Sequence, residues 1–201
     1  MLDLLVKNIG ELATAQGTTP KKGKAQGEVQ ISHQVCIGIT NGKISYVGPE
    51  EEAPATKEVF DAEGCLVTPG LVDAHTHLVF GGWRQHELPQ KLAGATYLEI
   101  LKGGGGILST VRSTRAATEE ELVEKTRKLL DQMIAHGTTT VEAKSGYGLS
   151  TAEELKQLRV VRTLQGTHPI DLVSTFMGAH AVPEEYKNDR AGYVKLVCEE
   201  M

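Results

Sequence analysis

The alternation of apolar and polar positions gives the first 68 residues the character of a small β-module. Apolar runs predict strands at residues 2–7, 35–40 and 43–47. Asn41-Gly42 separates the last two runs, and this dipeptide is a strong hairpin signal because both central turn residues need positive φ. The polar stretch at residues 18–27 predicts a loop. We therefore expect a domain at residues 1–68.

From residue 69 onward, apolar runs that suit strands alternate with patterns that suit helices. Strands are expected at residues 71–79, 138–143 and 170–176, the last buried on both faces. A short helix is expected at residues 92–101, longer ones after the capping-box signals Thr118/Glu121 and Ser150/Glu153, and a last one from Asp189. This pattern predicts parallel βα units over residues 69–201.

The number of βα units leaves two architectures open. Three units occupy roughly 130 residues, whereas a complete (β/α)8 barrel typically needs about 250. Residues 69–201 are therefore expected to form the first units of such a barrel in a truncated chain, or else a small open α/β sheet.

Composition and charge exclude several classes of partner. The 201-residue chain has a formal net charge of -5, which provides no basic footprint for nucleic acid or an anionic membrane. Its three cysteines lie far apart and lack CxxC spacing, so neither a disulfide framework nor a thiolate zinc site is expected. No apolar run is long enough to span a membrane, and the start lacks signal-peptide character. The sequence predicts a cytoplasmic protein.

Histidines near the ends of predicted strands are the strongest candidates for chemistry. His75 and His77 are two residues apart at the end of an apolar strand, so both imidazoles can reach one metal ion from the same side. Two neutral imidazoles suit zinc or iron(II). His180 follows the third strand and Tyr147 the second, at the end where barrels carry their active sites. Arg84, in the loop after the first strand, could hold an acidic substrate.

Other polar residues are given smaller roles. Lys144 could carry a metal-bridging carbamate, but nothing else in the sequence suggests two metals. The remaining histidines are expected at the surface, where His136 can also complement a helix dipole: His33, His86, His136 and His168.

Four segments together resemble one enzyme family. PGLVDAHTH at residues 69–77 is similar to the metal-binding segment of the amidohydrolase superfamily. Three further segments resemble the imidazolonepropionase family in particular: GGGILSTV at residues 104–111, KSGYGL at residues 144–149 and STFMGAH at residues 174–180. The resemblance extends over nearly the whole chain and concerns the amino-terminal half of the family's enzymes.

The resemblance implies a fold, a reaction and a set of site residues. The fold would be a distorted (β/α)8 barrel beside a small β-sandwich made from both chain ends, with one zinc or iron ion. The reaction would be hydrolysis of 4-imidazolone-5-propanoate to N-formimidoyl-L-glutamate in histidine degradation, and a homodimer would be compatible with the full-length enzyme. His75 and His77 match metal ligands, whereas Arg84, Tyr147 and His180 match substrate-binding residues.

The family's further ligands, a histidine and an aspartate, and its general-base glutamate are expected after Met201. By itself, residues 1–201 are expected to lack activity. Two alternatives remain: another cyclic-amide hydrolase or deaminase of the superfamily, and a non-catalytic half-barrel.

Overall fold

The Asn41-Gly42 turn forms as predicted in the computed structural model, which describes residues 1–201. Asn41 has φ 52° and Gly42 has φ 71°, the positive values that this hairpin turn requires. The Asn41 N–H donates to Asp3 Oδ2 at 2.7 Å, which ties the turn to the first strand. The predicted hairpin is confirmed.

Residues Met1–Pro69 form one of two compact units and contain two β-sheets. The strands are β1 (Leu2–Lys7), β2 (Glu11–Ala15), β3 (Val29–Ser32), β4 (Cys36–Thr40), β5 (Lys43–Gly48), β6 (Thr56–Asp61) and β7 (Leu66–Val67). One sheet has the order β5-β4-β1-β6 and the other β3-β2-β7. Ile9, Leu12 and Ile37 are buried together in this unit's core.

Residues Gly70–Met201 form the second unit, in which strands and helices alternate. Its strands are β8 (Leu71–Thr76), β9 (Thr138–Lys144) and β10 (Asp171–Thr175). Its helices are α1 (Glu87–Leu92), α2 (Tyr97–Lys102), α3 (Gly106–Ala116), α4 (Glu119–Ala135), α5 (Thr151–Gln165) and α6 (Arg190–Glu199). The three strands are parallel, in the order β10-β9-β8, which confirms the α/β class. None of the helices is both long and apolar enough to cross a membrane.

One face of this sheet is covered and the other is open. Helices α4 and α5 contribute Leu130 and Leu164 to a core with Val141 of β9, and all three side chains are fully buried. Val72 and Val173 have the opposite parity to the buried strand residues and are 65% and 54% exposed. The expectation that the third strand is buried on both faces is therefore wrong, because no element packs over Val173.

All three predicted helix starts are confirmed, but one of the two predicted capping boxes does not form. Thr118 and Glu121 form the predicted capping box, with Glu121 N–H donating to Thr118 Oγ1 at 3.1 Å. Asp189 caps α6 by accepting from Gly192 N–H. Ser150 does precede α5, but its side chain makes no capping hydrogen bond.

Two predicted boundaries in this unit are wrong. The helix expected at residues 92–101 is not continuous. The helix α1 ends at Leu92, the chain turns at Gly94 with φ 93°, and α2 starts after a capping box at Thr96. The helix α3 was not predicted at all. The first strand ends at Thr76 rather than at residue 79.

Candidate active site

Three candidate site residues, His77, Tyr147 and His180, bring their side chains together beyond the carboxyl ends of the parallel strands. The His77 and His180 rings stack with centroids 4.2 Å apart and planes 8° from parallel. The Tyr147 ring lies 5.0 Å from the His77 ring and 5.4 Å from the His180 ring. Residues that are 103 positions apart along the chain (180 - 77) therefore form one cluster.

Backbone carbonyls fix the tautomers of the two stacked histidines. His77 Nδ1 lies 2.9 Å from the Ser145 carbonyl oxygen, and His180 Nδ1 lies 3.0 Å from that of Gly146. A carbonyl only accepts, so both Nδ1 atoms carry the proton and both Nε2 lone pairs stay free in the neutral rings. Burial lowers the pKa of His77, and the neighbouring His180 imidazole lowers it further. The neutral ring is the form that can bind a metal ion.

His75 lies in the same cleft as His77 but in a more exposed position. The two ring centroids are 6.2 Å apart, with planes 67° from parallel. Both histidines line a cleft of about 390 Å³ together with Arg84 and Tyr147. Because β8 ends at Thr76, the strand periodicity used to place both rings does not extend to His77. No group of three or more His, Cys, Asp or Glu side chains in residues 1–201 could hold a metal ion.

Arg84 is held by a buried carboxylate that the sequence did not reveal. Arg84 Nε donates to Glu87 Oε1 at 2.9 Å and Nη2 donates to Glu87 Oε2 at 2.7 Å. Glu87 is only 2% exposed and also accepts from the Gly106 N–H at 2.7 Å. The Arg84 guanidinium, with the Gly106 N–H, lowers the pKa of Glu87 to about 2, so this group is an anion at neutral pH.

The loop that carries Tyr147 is organised by a second buried carboxylate. Glu154 of α5 accepts from the N–H groups of Gly146, Gly148 and Leu149 at 2.8 to 3.0 Å. Gly146 has φ 110°, and a side chain there would place Cβ 2.8 Å from Cβ of His180. Glycine at this position therefore permits both the turn and the approach of the His180 ring.

Gln157 connects the same loop to the segment that follows β8. Its Oε1 accepts from Tyr147 N–H at 3.1 Å, and its Nε2 donates to the Val79 carbonyl at 2.6 Å. The capping box expected at Ser150 and Glu153 does not form. The acceptor that organises the Tyr147 loop is Glu154, one residue after Glu153. Helical periodicity does indicate it, since Glu154 and Gln157 are three residues apart and share a face with the buried Val161.

Removing the Glu154 carboxylate should destabilise the second unit strongly. Glu154→Ala leaves three buried N–H groups without an acceptor, each costing about 1 to 3 kcal/mol before water enters. We expect the free energy of unfolding in urea to fall by about 3 to 5 kcal/mol. Glu120→Ala, at an exposed position in the first turn of α4, should change it by less than about 0.5 kcal/mol. Equal losses in the two variants would contradict this role.

The sequence also did not predict a cluster of polar side chains on β9 and β10. Lys144 pairs with Glu142 two residues before it, at 2.5 Å, and Thr175 Oγ1 donates to Glu142 Oε1 at 2.8 Å. The Lys144 ammonium lowers the pKa of Glu142. Strand parity could have identified Glu142, because it lies on the same side of β9 as Lys144. The ion pair gives the Lys144 nitrogen a structural partner and offers no support for a carbamate.

Of the four histidines predicted to lie at the surface, His168 has a buried side chain. The side chain of His168 is only 3% exposed, with Nδ1 accepting from Ile170 N–H and Nε2 donating to Asp131. The prediction failed because this short connection folds back on α4. His33, His86 and His136 are exposed, and His136 Nδ1 donates to the Gln132 carbonyl at the end of α4.

Comparisons with known proteins identify relatives of this chain by sequence. The profile of the amidohydrolase family matches residues 58–146. The chain is 52% identical over its whole length to the imidazolonepropionase of Alkaliphilus metalliredigens, covering 49% of that protein. It is 55% identical to the imidazolonepropionase of Bacillus cytotoxicus, with 99% of this chain and 48% of the relative covered. The chain thus spans about half the length of the curated relatives it matches.

Solved structures share the fold at lower sequence identity. A triazine hydrolase variant superposes with a TM-score of 0.60 at 19% identity, over 86% of this chain and 35% of that one. The guanine deaminase of E. coli gives 0.57 at 15% identity, over 88% of this chain and 36% of that one. An atrazine chlorohydrolase from Arthrobacter aurescens, solved with zinc, gives 0.56 at 18% identity over 86% and 35%.

Proposed function

We propose that this chain, the homologue of the amino-terminal half of imidazolonepropionases, is the corresponding part of such an enzyme. The whole enzyme would hydrolyse the cyclic amide of 4-imidazolone-5-propanoate to N-formimidoyl-L-glutamate. The observation that carries the proposal is the cleft in which His75, His77, Tyr147 and Arg84 meet, with His180 stacked on His77. Relatives of that name are 52% and 55% identical to the chain over at least 99% of its length.

The proposal includes an architecture. The three parallel strands β8, β9 and β10 would be the first of the eight in a (β/α)8 barrel, whose active sites lie at the carboxyl ends of the strands. The clustered side chains follow those ends. The open face with Val72 and Val173 would then be the barrel interior, and residues 1–69 would be part of a small β-sandwich.

A metal ion would be held by His75 and His77. The donor set fits, because His77 gives its Nδ1 proton to the Ser145 carbonyl, which is how metal-bound histidines are commonly oriented. Imidazole nitrogens suit zinc or iron(II). When bound, such an ion supplies Lewis-acid chemistry to a ring carbonyl and to water. Two ligands are fewer than a catalytic site of this kind uses, so further ligands and the general base would come from the other half of the enzyme.

The remaining side chains would bind and orient the substrate. Glu87 engages one Nε–H and one Nη2–H of Arg84, so three of the five guanidinium N–H groups stay available for a propionate carboxylate. The free Nε2 of His180 can accept from a ring N–H, while the Tyr147 hydroxyl can donate to a ring oxygen or nitrogen. Burial raises the pKa of Tyr147, which keeps its hydroxyl a donor near neutral pH.

Other cyclic-amide hydrolases and deaminases form the second candidate class, since a guanine deaminase and triazine hydrolases share this fold. Arg84 distinguishes them, because a guanidinium in the cleft favours an anionic substrate. A third candidate is a non-catalytic half that binds metal poorly.

A fusion protein tests the proposal. Residues 1–201 would be joined to the carboxyl-terminal half of the Alkaliphilus metalliredigens relative, and loss of 4-imidazolone-5-propanoate and gain of N-formimidoyl-L-glutamate would be followed. We expect metal-dependent turnover by the fusion and none by either half alone. Turnover of a neutral cyclic amide in preference to the propionate would favour the second class. A folded fusion that binds no metal and turns over neither substrate would favour the third.

A further inference from the structure

Glu87 differs from the other acidic partners of arginine in this chain by its burial. The Arg159–Glu119 pair joins Arg159 Nε to Glu119 Oε2 at 2.8 Å, with side chains 53% and 33% exposed. Glu87 makes the same contact to Arg84 with a side chain only 2% exposed. A buried carboxylate is costly unless it is paired and hydrogen-bonded, so Glu87 requires Arg84 in this one orientation.

The glycine run before α3 is shaped around this carboxylate. Gly106 has φ 70° and donates its N–H to Glu87 Oε1. A Cβ on Gly105 would be 3.0 Å from the same oxygen and 2.8 Å from Ile100 Cγ2. The backbone at Gly105 and Gly106 therefore approaches the Glu87 carboxylate more closely than a residue with a side chain at position 105 would allow. Oε1 is held by both Gly106 and Arg84 Nε, which leaves the carboxylate little freedom to turn.

The consequence for Arg84 is a choice between its two donor edges. A guanidinium can bind a carboxylate side-on through Nε and one Nη, or end-on through both Nη atoms. Glu87 occupies the side-on edge, with Nε at 2.9 Å and Nη2 at 2.7 Å. The end-on edge, made of Nη1 and the second Nη2 proton, carries no hydrogen bond within the chain. Arg84 nevertheless lines the cleft that holds His75, His77 and Tyr147.

We propose that Glu87 is a positioning residue for Arg84: its buried carboxylate holds the side-on edge, so that a carboxylate ligand meets only the end-on edge. Glu87 touches no ligand itself. The inference rests on the proposed function, in which Arg84 binds the carboxylate of the substrate. It adds the orientation of that carboxylate, and hence of the ring attached to it, relative to His77 and Tyr147.

The test uses residues 1–201 and propionate as the probe, with the arginine N–H groups observed by NMR. In the unmodified chain, Arg84 Nε–H should exchange slowly with water, and propionate should shift the Nη resonances of Arg84 while leaving Nε–H in place. This arm needs no variant, so it does not depend on whether a substitution folds. In Glu87→Gln, Arg84 Nε–H exchange should become at least about tenfold faster, because the charged acceptor is gone. Propionate should then shift Nε–H as well.

The control is Glu119→Gln, which removes the acceptor of the exposed Arg159 and should leave every Arg84 resonance unchanged. A shift of Arg84 Nε–H by propionate in the unmodified chain, or rapid exchange of that proton there, would overturn the inference alone. A protected Nε–H with no response of Arg84 to propionate would overturn the carboxylate-binding role of Arg84, and the edge preference with it. The failure of the inference and that of the proposed function are thus distinguishable.

Discussion

His77→Ala in the fusion protein is expected to remove bound metal and to lower turnover of 4-imidazolone-5-propanoate by about a thousandfold or more, because activation of water and carbonyl is lost together. His77 is the better oriented of the two proposed ligands, since the Ser145 carbonyl fixes its tautomer. Metal content by elemental analysis and initial rates on the same samples provide the measurement. His75→Ala should act in the same direction.

The matched control is His136→Ala, which removes an imidazole bonded to a backbone carbonyl at the exposed end of α4. Metal content and turnover should be unchanged in this variant. If His77→Ala kept its metal and lost only turnover, His77 would be a substrate contact like His180, on which it stacks.

The sequence predicted best those elements whose signals are local. The Asn41-Gly42 hairpin depends on the φ angles of two residues, and the start of α4 depends on Thr118 and Glu121, which lie in one turn. Each needed no knowledge of the rest of the chain. The helix α3 was not predicted because it begins at Gly106, whose positive φ is stabilised by Glu87, 19 residues earlier.

Strands that depend on distant partners were predicted least well. All of β6 beyond its first residue is exposed, so its sequence carries no inward-facing apolar stripe, and it is defined by parallel pairing with β1. The residues of β3 are likewise mostly exposed, and it is ordered by antiparallel pairing with β2. Hydrophobic periodicity reports burial, and these strands are little buried.

The same distinction applies to the candidate site. The sequence pointed to His77, Tyr147 and His180 because each lies at the end of a predicted strand or just after it, and the structure brings these three rings together. It did not point to Glu87 or Glu154, whose roles depend on backbone N–H groups that only the fold aims at them. Glu87 precedes the predicted helix at residues 92–101, and charged residues there are usually solvated, so nothing local marks it as buried. Glu154 does have a local signal, the helix face that it shares with Gln157 and Val161, but its three N–H donors are visible only in the fold.

Arg84→Lys in the fusion protein is expected to lower kcat/KM for 4-imidazolone-5-propanoate by roughly 10- to 150-fold, the equivalent of about 1.5 to 3 kcal/mol for a hydrogen bond to a charged group. Lysine keeps the charge but has one nitrogen, which cannot serve Glu87 and a substrate carboxylate with the planar geometry of arginine. Metal content should stay the same, because arginine offers a metal ion no lone pair. Steady-state rates and elemental analysis on the same preparation give both quantities.

The control for this substitution is Arg159→Lys, since Arg159 also donates through Nε to a glutamate but does so in solvent. Its kcat/KM should equal that of the unmodified fusion, and exposed pairs of this kind contribute only about 0 to 1 kcal/mol to stability. Arg84→Lys should in addition lower the unfolding free energy, because residue 84 then offers the buried Glu87 carboxylate one donor where it had offered two. Unfolding in urea separates this effect from substrate binding, since kcat/KM is measured where both proteins are folded. An Arg84→Lys fusion that loses stability but turns over the propionate substrate at the unmodified rate would show that Arg84 serves Glu87 and not the substrate.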